Sequence, residues 1–470
     1  MNNTLYRTSY LLTLCALAGC SLAPDYERPT APIAARYPTQ DTSATASSAV
    51  LEDGALFYTD ERLRKLMTLA LANNRDLRLA ALTSERLQGQ YRIRLAEQWP
   101  ALNAEISQEH IRPESSSDTA TYGLAISGYE LDLFGRVHSL KEAALADYFS
   151  SVASRHATQL SLAAAVATTD LSLRADERLL ALARESLQDQ QQTTTLARKR
   201  AAEGLDDERA YQQSLSAEQD AIAAVARYEQ QRAQDEHALL QLLGVPELPS
   251  DIPSAAIAPI EQVIGDVPAG LPADLLTRRP DIVAAEDRLM AANASIGAAR
   301  AAFFPRIALT GSYGRASNDL AHLFNDSVRG WSFSPSVTLP LFDFGARQAN
   351  LEVAKVEKEM AVAEYEKAIQ GAFREVADSL SAKATLQQES EAAQRKAEAQ
   401  HRSARLADQR FQSGRDSRID MMSARTAWRE ARQAQIQMSL RQQLNLITLY
   451  KSLGGGWDRQ ALLSHMRPAT

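Results

Sequence analysis

Long apolar runs are missing from this chain. After Leu17 no stretch is long and apolar enough to cross a bilayer as a helix. Any membrane crossing would have to be a closed β-barrel, the other structure that satisfies every backbone polar group in lipid. Cysteine is nearly absent, with Cys15 and Cys20 the two present, which excludes a disulfide framework or a cysteine metal cluster. Glycine is scarce, at 20 of 470 residues, and aromatics make up only 6%, both low for a globular chain. A basic excess is missing too. Lys and Arg number 51 against 58 Asp and Glu, a balance that argues against a nucleic-acid partner. Catalytic signatures are also lacking: HExxH, Cys-x-x-Cys, GxGxxG and the P-loop do not occur, and the seven histidines are scattered. Asp343-Phe344-Gly345 imitates a kinase motif without its companions and reads as a strand-to-helix turn. Neither an enzyme nor a metal or organic cofactor is expected.

What is present begins at the N-terminus. Arg7 is the only charge in the first 20 residues, and an apolar run from Leu11 to Leu17 follows it. This reads as a signal peptide over residues 1–19. Leu17-Ala18-Gly19-Cys20 resembles the bacterial lipobox, which implies that Cys20 is acylated and becomes the first mature residue. Ser21 permits delivery to the outer membrane. The mature chain then has a net charge of −8 once Arg7 is removed.

Proline is missing from Arg136 to Gly244 and again from Ala346 to Gly454. Gly204 splits the first segment and Gly414 the second, each about two-thirds along. This pattern predicts a long helix, a turn and a returning helix, twice. The first long helix is expected from about Arg136 to Glu203, roughly 100 Å at ~1.5 Å per residue, and its return from Asp206 to Leu243. Such helices need partners along their sides. Ala153, Ala157, Leu160, Ala164, Ala167 and Leu171 keep coiled-coil spacing with small residues.

The chain also repeats. Asp76 matches Asp281 and Pro100 matches Pro305, both 205 residues apart. Gly135 matches Gly345, Gly204 matches Gly414 and Gly244 matches Gly454, all 210 apart. One five-residue difference, placed in the loop Ala316–Gly330, accounts for every pair. Strands are expected over Leu102–Arg112, Thr121–Leu133, Ile307–Tyr313 and Trp331–Leu341, the last alternating aromatic and aliphatic residues with Ser and Thr. About ten residues is the length of a tilted bilayer-crossing strand. Four strands cannot close a barrel, whereas three chains would supply twelve. The expected fold is therefore mainly α with a transmembrane β part, built from duplicated strand-strand-long helix-helix units. Shorter helices near Glu61–Gln98 and Asp206–Leu243 are expected to stack end to end beside a long one. The divisions are a lipidated tether over 20–57, a first repeat over 58–244, a linker over 245–270, a second repeat over 271–456 and a tail over 457–470.

Lipobox, "APDYERP", "RRPDI", "LFDFG" and a terminal "LYKSLGGGW", in this order around the duplicated units, together resemble the outer-membrane factor family. The similarity is greatest to the NodT-type lipoprotein branch, TolC-like in architecture. The resemblance covers essentially all of the mature chain. It implies a homotrimer with a twelve-stranded barrel and a helical periplasmic tunnel. It also implies a passive duct that works with a periplasmic adaptor and an inner-membrane pump of the resistance-nodulation-division type. Such ducts are wide and leave substrate selection to the pump. The only attached group implied is the lipid on Cys20. A periplasmic coiled-coil adaptor or structural lipoprotein without a pore is the alternative class.

The family resemblance also places a gate after the second glycine. Asp420 stands where TolC-like members carry aspartate. Ser423 stands where many carry a second, so one ring of three carboxylates is implied, repelling one another and attracting cations. Phe411 replaces a tyrosine that links helices in other members. Gly204 and Gly414 are the expected hinge turns. Asp206, Asp207 and Arg209 face Arg415, Asp416 and Arg418 as a latch of weak surface pairs between the two copies.

Overall fold

The computed structural model describes residues 21–34, 37, 57–111, 117–205, 207–256, 260, 264–265, 279–317 and 328–455. The signal peptide, Cys20, Asp206 and the tail 457–470 lie outside the described residues. The elements are α1 (Glu61–Asn73), α2 (Arg75–Ala96), β1 (Leu102–Ile111), β2 (Ser117–Leu131), α3 (Arg136–Ala202), α4 (Glu208–Leu243), α5 (Pro280–Ala301), β3 (Arg306–Ser317), β4 (Val328–Thr338), α6 (Ala346–Gln412) and α7 (Arg418–Ser452). The duplication holds to the residue at the helix starts. The helix starting at Arg75 recurs at Pro280, and the 67-residue helix starting at Arg136 recurs at Ala346 with the same length. Contacts divide the chain into two compact units.

One unit comprises Met1–Ala31, Ala81–Ser154 and Asp281–Ala368 and carries the sheet. Its order is β1-β2-β3-β4, antiparallel throughout. Register sorts the side chains by chemistry. Ile106, Leu124, Tyr313, Trp331, Phe333 and Val337 share one face and are exposed on the single chain. The other face carries hydroxyls that pair across strands, Ser107 with Thr121 at 2.7 Å and Ser312 with Ser332 at 2.8 Å. An apolar outer face and a polar inner face, alternating along each strand, are what a barrel in lipid requires. Exposed Trp99, Phe303, Phe304, Phe342 and Phe344 gather near the helix-proximal strand ends, and Tyr313 and Trp331 lie toward the distal ones. Aromatic rings at both ends suit the two membrane interfaces.

Several strand boundaries differ from expectation: β3 runs on to Ser317 and β4 begins at Val328, so both ends of the expected loop Ala316–Gly330 are strand. β4 stops at Thr338 rather than Leu341, because Pro340 has no N–H for the ladder. β2 begins at Ser117, so polar residues read as loop join the ladder opposite β1, and it ends at Leu131. There Asp132 turns back and its carboxylate accepts the His138 N–H at 2.7 Å, starting α3.

The tether reading is corrected for Ser21–Ala34, which is pinned rather than free. Arg28 makes a two-pronged ion pair with the buried Glu286 of α5, and Tyr26 donates its hydroxyl to the same carboxylate. Asn293 and Arg300 donate to the carbonyls of Pro24 and Leu22. Gly297 lets the segment lie flush on α5, since a Cβ there would sit 2.8 Å from the Ala23 nitrogen. Burial and Glu286 together push the Tyr26 phenol well above its ordinary value.

The other unit comprises Pro32–Ala80, Arg155–Pro280 and Ile369–Thr470. Its core packs Leu66, Ala70, Leu162, Val166, Leu173, Leu239 and Leu243. The short helices meet end to end as expected. Asn74 breaks Glu61–Ala96 in two, accepts the Leu77 N–H to start α2 and donates to the Leu242 carbonyl that ends α4. In the second copy Arg279 plays the same part on the Ser452 carbonyl, joining the end of α7 to the start of α5. The seam on α3 widens to bury charge. Asp170 and Arg174 are fully buried; Asp170 accepts from Arg62 at 2.7 Å and from Arg174 at 2.8 Å, and Arg174 also reaches Asp60 at 2.6 Å. Every charge in this cluster has an opposite partner, the condition under which buried ions are tolerated.

Asp176 on α3 and Asp235 on α4 are a different case. Each keeps a buried Oδ2 that no described group donates to. Burial first, and then the charge of Asp235, push the Asp176 carboxyl up to about 7. Burial also raises Asp235. A proton on Asp176 supplies the missing donor between them. The folded state thus holds a proton that the unfolded chain releases near pH 4. Stability is full below that value and declines as pH rises from about 4 to 7. Asp176→Asn should flatten this decline, with the thermal midpoint measured from pH 4 to 8 as the check. An unchanged slope would remove the shared proton.

A candidate gate at the helical turns

The turns after α3 and α6 are built alike. Each long helix ends in a left-handed glycine, Gly204 at φ +71° and Gly414 at φ +73°. In each, a double hydrogen bond closes the end: Leu205 and Gly204 donate to Arg200 and Ala201, while Arg415 and Gly414 donate to Arg410 and Phe411. Glycine is favoured because a side chain would strain this backbone. The returning helices are capped at equivalent positions, α4 by Asp207 and α7 by Ser417.

Helix capping claims the residues expected to form the latch. Asp207 accepts the Arg209 N–H at 3.0 Å. Asp416 folds back onto Arg410 of its own hairpin at 2.8 Å, and this guanidinium holds its carboxyl below the usual range. Asp420 completes a capping box, accepting from the Ser417 N–H at 3.2 Å and its hydroxyl at 2.6 Å. Arg209, Arg415 and Ser423 are exposed. Among the described residues of one chain, the latch of Asp207 and Arg209 against Arg415, Asp416 and Arg418 is therefore not made as an ion-pair set. Short-range caps within each hairpin win over pairs between hairpins, because they cost less ordering of long side chains.

What joins the hairpins lies one to four turns higher. Asp189 of α3 is held by Arg429 and, at 3.4 Å, by Arg425, both of α7. Arg425 also holds Asp408 of α6 at 2.8 Å. This line of charges crosses from the first copy to the second. Asp408 is the largest cause that holds the Arg425 guanidinium protonated. Arg429 is buried and its Nε has no acceptor, so Asp189 carries most of its compensation. Nearer the turn, Arg418 approaches the Thr193 hydroxyl at 3.5 Å, and burial lowers its pKa, helped by Arg200 and Arg425. Tyr228 of α4 accepts from Gln433 of α7 at 2.9 Å. Below these contacts a groove of about 1000 Å³ opens between the hairpins, lined by Gln190, Thr193, Leu196, Phe411, Arg418 and Ser423 among others. The arrangement can hold two hinged hairpins together through a few polar contacts.

Comparison with known proteins accords with this architecture. The family model for outer membrane efflux proteins matches residues 66–245 and 271–455. The probable efflux pump outer membrane protein TtgC of Pseudomonas putida is 40% identical, with 96% of each chain covered. Outer membrane protein OprJ of Pseudomonas aeruginosa is 40% identical, with 99% of each covered. The crystal structure of the open state of the MtrE outer membrane channel of Neisseria gonorrhoeae superposes with a TM-score of 0.84 at 37% identity, covering 94% of this chain and 99% of that one. Four strands with an apolar outer face, paired 67-residue helices and a match over nearly the whole length leave one assignment. The chain belongs to the outer membrane efflux protein family, as the trimeric outer-membrane channel of a tripartite efflux system, with a β-barrel continued by a helical tunnel into the periplasm.

Proposed function

We propose that this channel is a passive duct, closed at rest by its helical tips and opened by a periplasmic adaptor while a resistance-nodulation-division pump loads it. The observation that carries the reading is the charge line Asp189–Arg425–Asp408, which ties one hairpin to the other above two glycine-hinged turns. Adaptor hairpins docking at the tips pull α6 and α7 away from α3, breaking the tie. Gly204 and Gly414 absorb the change. Arg418 adds a weaker link through Thr193. Asp420 keeps one carboxylate oxygen outside its cap and, three to a trimer with Ser423 one turn on, forms a cation-attracting ring at the exit. Asp207, Arg209, Arg415 and Asp416 lie at the charged tip that the adaptor meets.

The second part of the proposal is lipidation at Cys20. Ser21 lines a groove with Gln98, Tyr129 and His138 at the base of the sheet, which supports a lipid anchor on the residue before it. The acyl chains add to the anchoring without creating it. A Cys20→Ala chain carrying a cleavable signal should still fractionate with the outer membrane and resist carbonate extraction. Release into the soluble periplasm would refute the barrel as the principal anchor.

A further inference from the structure

The register of β3 and β4 sets Arg315 directly opposite Arg329. Both sit on the face shared by Tyr313 and Trp331, the lipid-facing one, two residues further from the helices. At ~3.3 Å per residue that is roughly 7 Å beyond the aromatic level. Like charges directly opposed on an antiparallel pair repel. Neither guanidinium has a carboxylate or other hydrogen-bond partner among the described residues. A neighbouring protomer offers none from its described β1 side chains on this face, since Leu102, Ala104, Ile106 and Gln108 are uncharged. Two cations with no partner among the described residues, placed just past an aromatic girdle on the outside of a barrel, are positioned to meet an anion at the membrane surface.

We propose that Arg315 and Arg329, repeated three times around the trimer, bind the phosphates of the diphosphorylated glycolipid of the outer leaflet. The planar guanidinium matches phosphate geometry with two parallel donors. Tyr313 and Trp331 pack beneath, against the upper acyl chains. The site holds lipid against the β3–β4 hairpin, the strand pair at the protomer edge.

The test uses full-length trimer in an uncharged detergent, with bound lipid counted by native mass spectrometry. Diphosphoryl lipid A, monophosphoryl lipid A and phosphatidylglycerol are titrated separately. Up to three diphosphoryl molecules should be retained per trimer, in preference to the other two. R315Q/R329Q should weaken retention tenfold or more, while R315K/R329K should weaken it less. Equal retention by the glutamine variant, or phosphatidylglycerol bound as tightly as diphosphoryl lipid A, overturns the proposal. Should the double variant fail to trimerise, R329Q alone gives the reading, since Arg329 is exposed on an edge strand.

Discussion

Gly314→Val should abolish the assembled channel. Gly314 and Gly123 face each other where β2 and β3 approach most closely. A Cβ on Gly314 would lie 2.2 Å from the Tyr122 carbonyl oxygen and 2.8 Å from the Gly123 Cα. Both are backbone atoms of a ladder, so neither can move aside without breaking hydrogen bonds. Any relief separates β2 from β3, and with them the two copies of the repeat. Unpaired N–H and C=O groups in lipid each cost several kcal/mol, and the lesion occurs three times per barrel. The expected result is loss of the outer-membrane trimer on immunoblots of unheated samples. Gly330→Val is the matched control. It stands opposite Gly314 on β4 with open space around its Cα, and it should still assemble.

Such close approaches are not legible in the sequence, whereas the repeat is. The 205 and 210 offsets, the 67-residue helices and the end-to-end short helices follow from where proline is missing and the turn glycines recur, because proline breaks a long helix and a left-handed glycine ends one. Strand faces were legible wherever alternation was strict, as in Trp331–Val337. Strand ends were not, because Pro340 and Asp132 act through single hydrogen bonds. The burial of the Asp170–Arg174 pair is not legible in the sequence. At i,i+4 spacing the pair looks like an ordinary solvated one, and its burial depends on Arg62 and Asp60, more than a hundred residues away. The glycines mark the turns in the sequence, and the charges beside them read as the tie between hairpins. Caps take those charges first. Asp189 and Arg425 lie mid-helix, where a charge reads as solvated until the neighbouring hairpin is in place. The N-terminal segment reads as loose because it has no period, yet its hydrogen bonds to α5 are specific.

Asp189→Ala should open the duct. Removing this carboxylate leaves the buried Arg429, whose Nε has no acceptor, without its carboxylate and facing Arg425, which keeps Asp408. Breaking a partly buried pair by deleting one partner costs on the order of 2 kcal/mol after solvent screening. The cost falls only on the arrangement in which the hairpins are together. In the dilated state both arginines reach water. A cost of this size, paid by the closed state alone, shifts the open-to-closed ratio by roughly 30-fold. The substitution lies far from the barrel strands in sequence, so trimer formation should be unaffected. Arg410→Ala should change the ratio little, because its partner Asp416 belongs to the same hairpin.

Single-channel recording in planar bilayers separates these expectations directly. Wild-type trimers should dwell in a low-conductance state, and Asp189→Ala trimers should spend about 30 times more of the recording in a high-conductance state of the same ion selectivity. Indistinguishable dwell times for the two proteins would contradict a duct closed by ties between its helical hairpins.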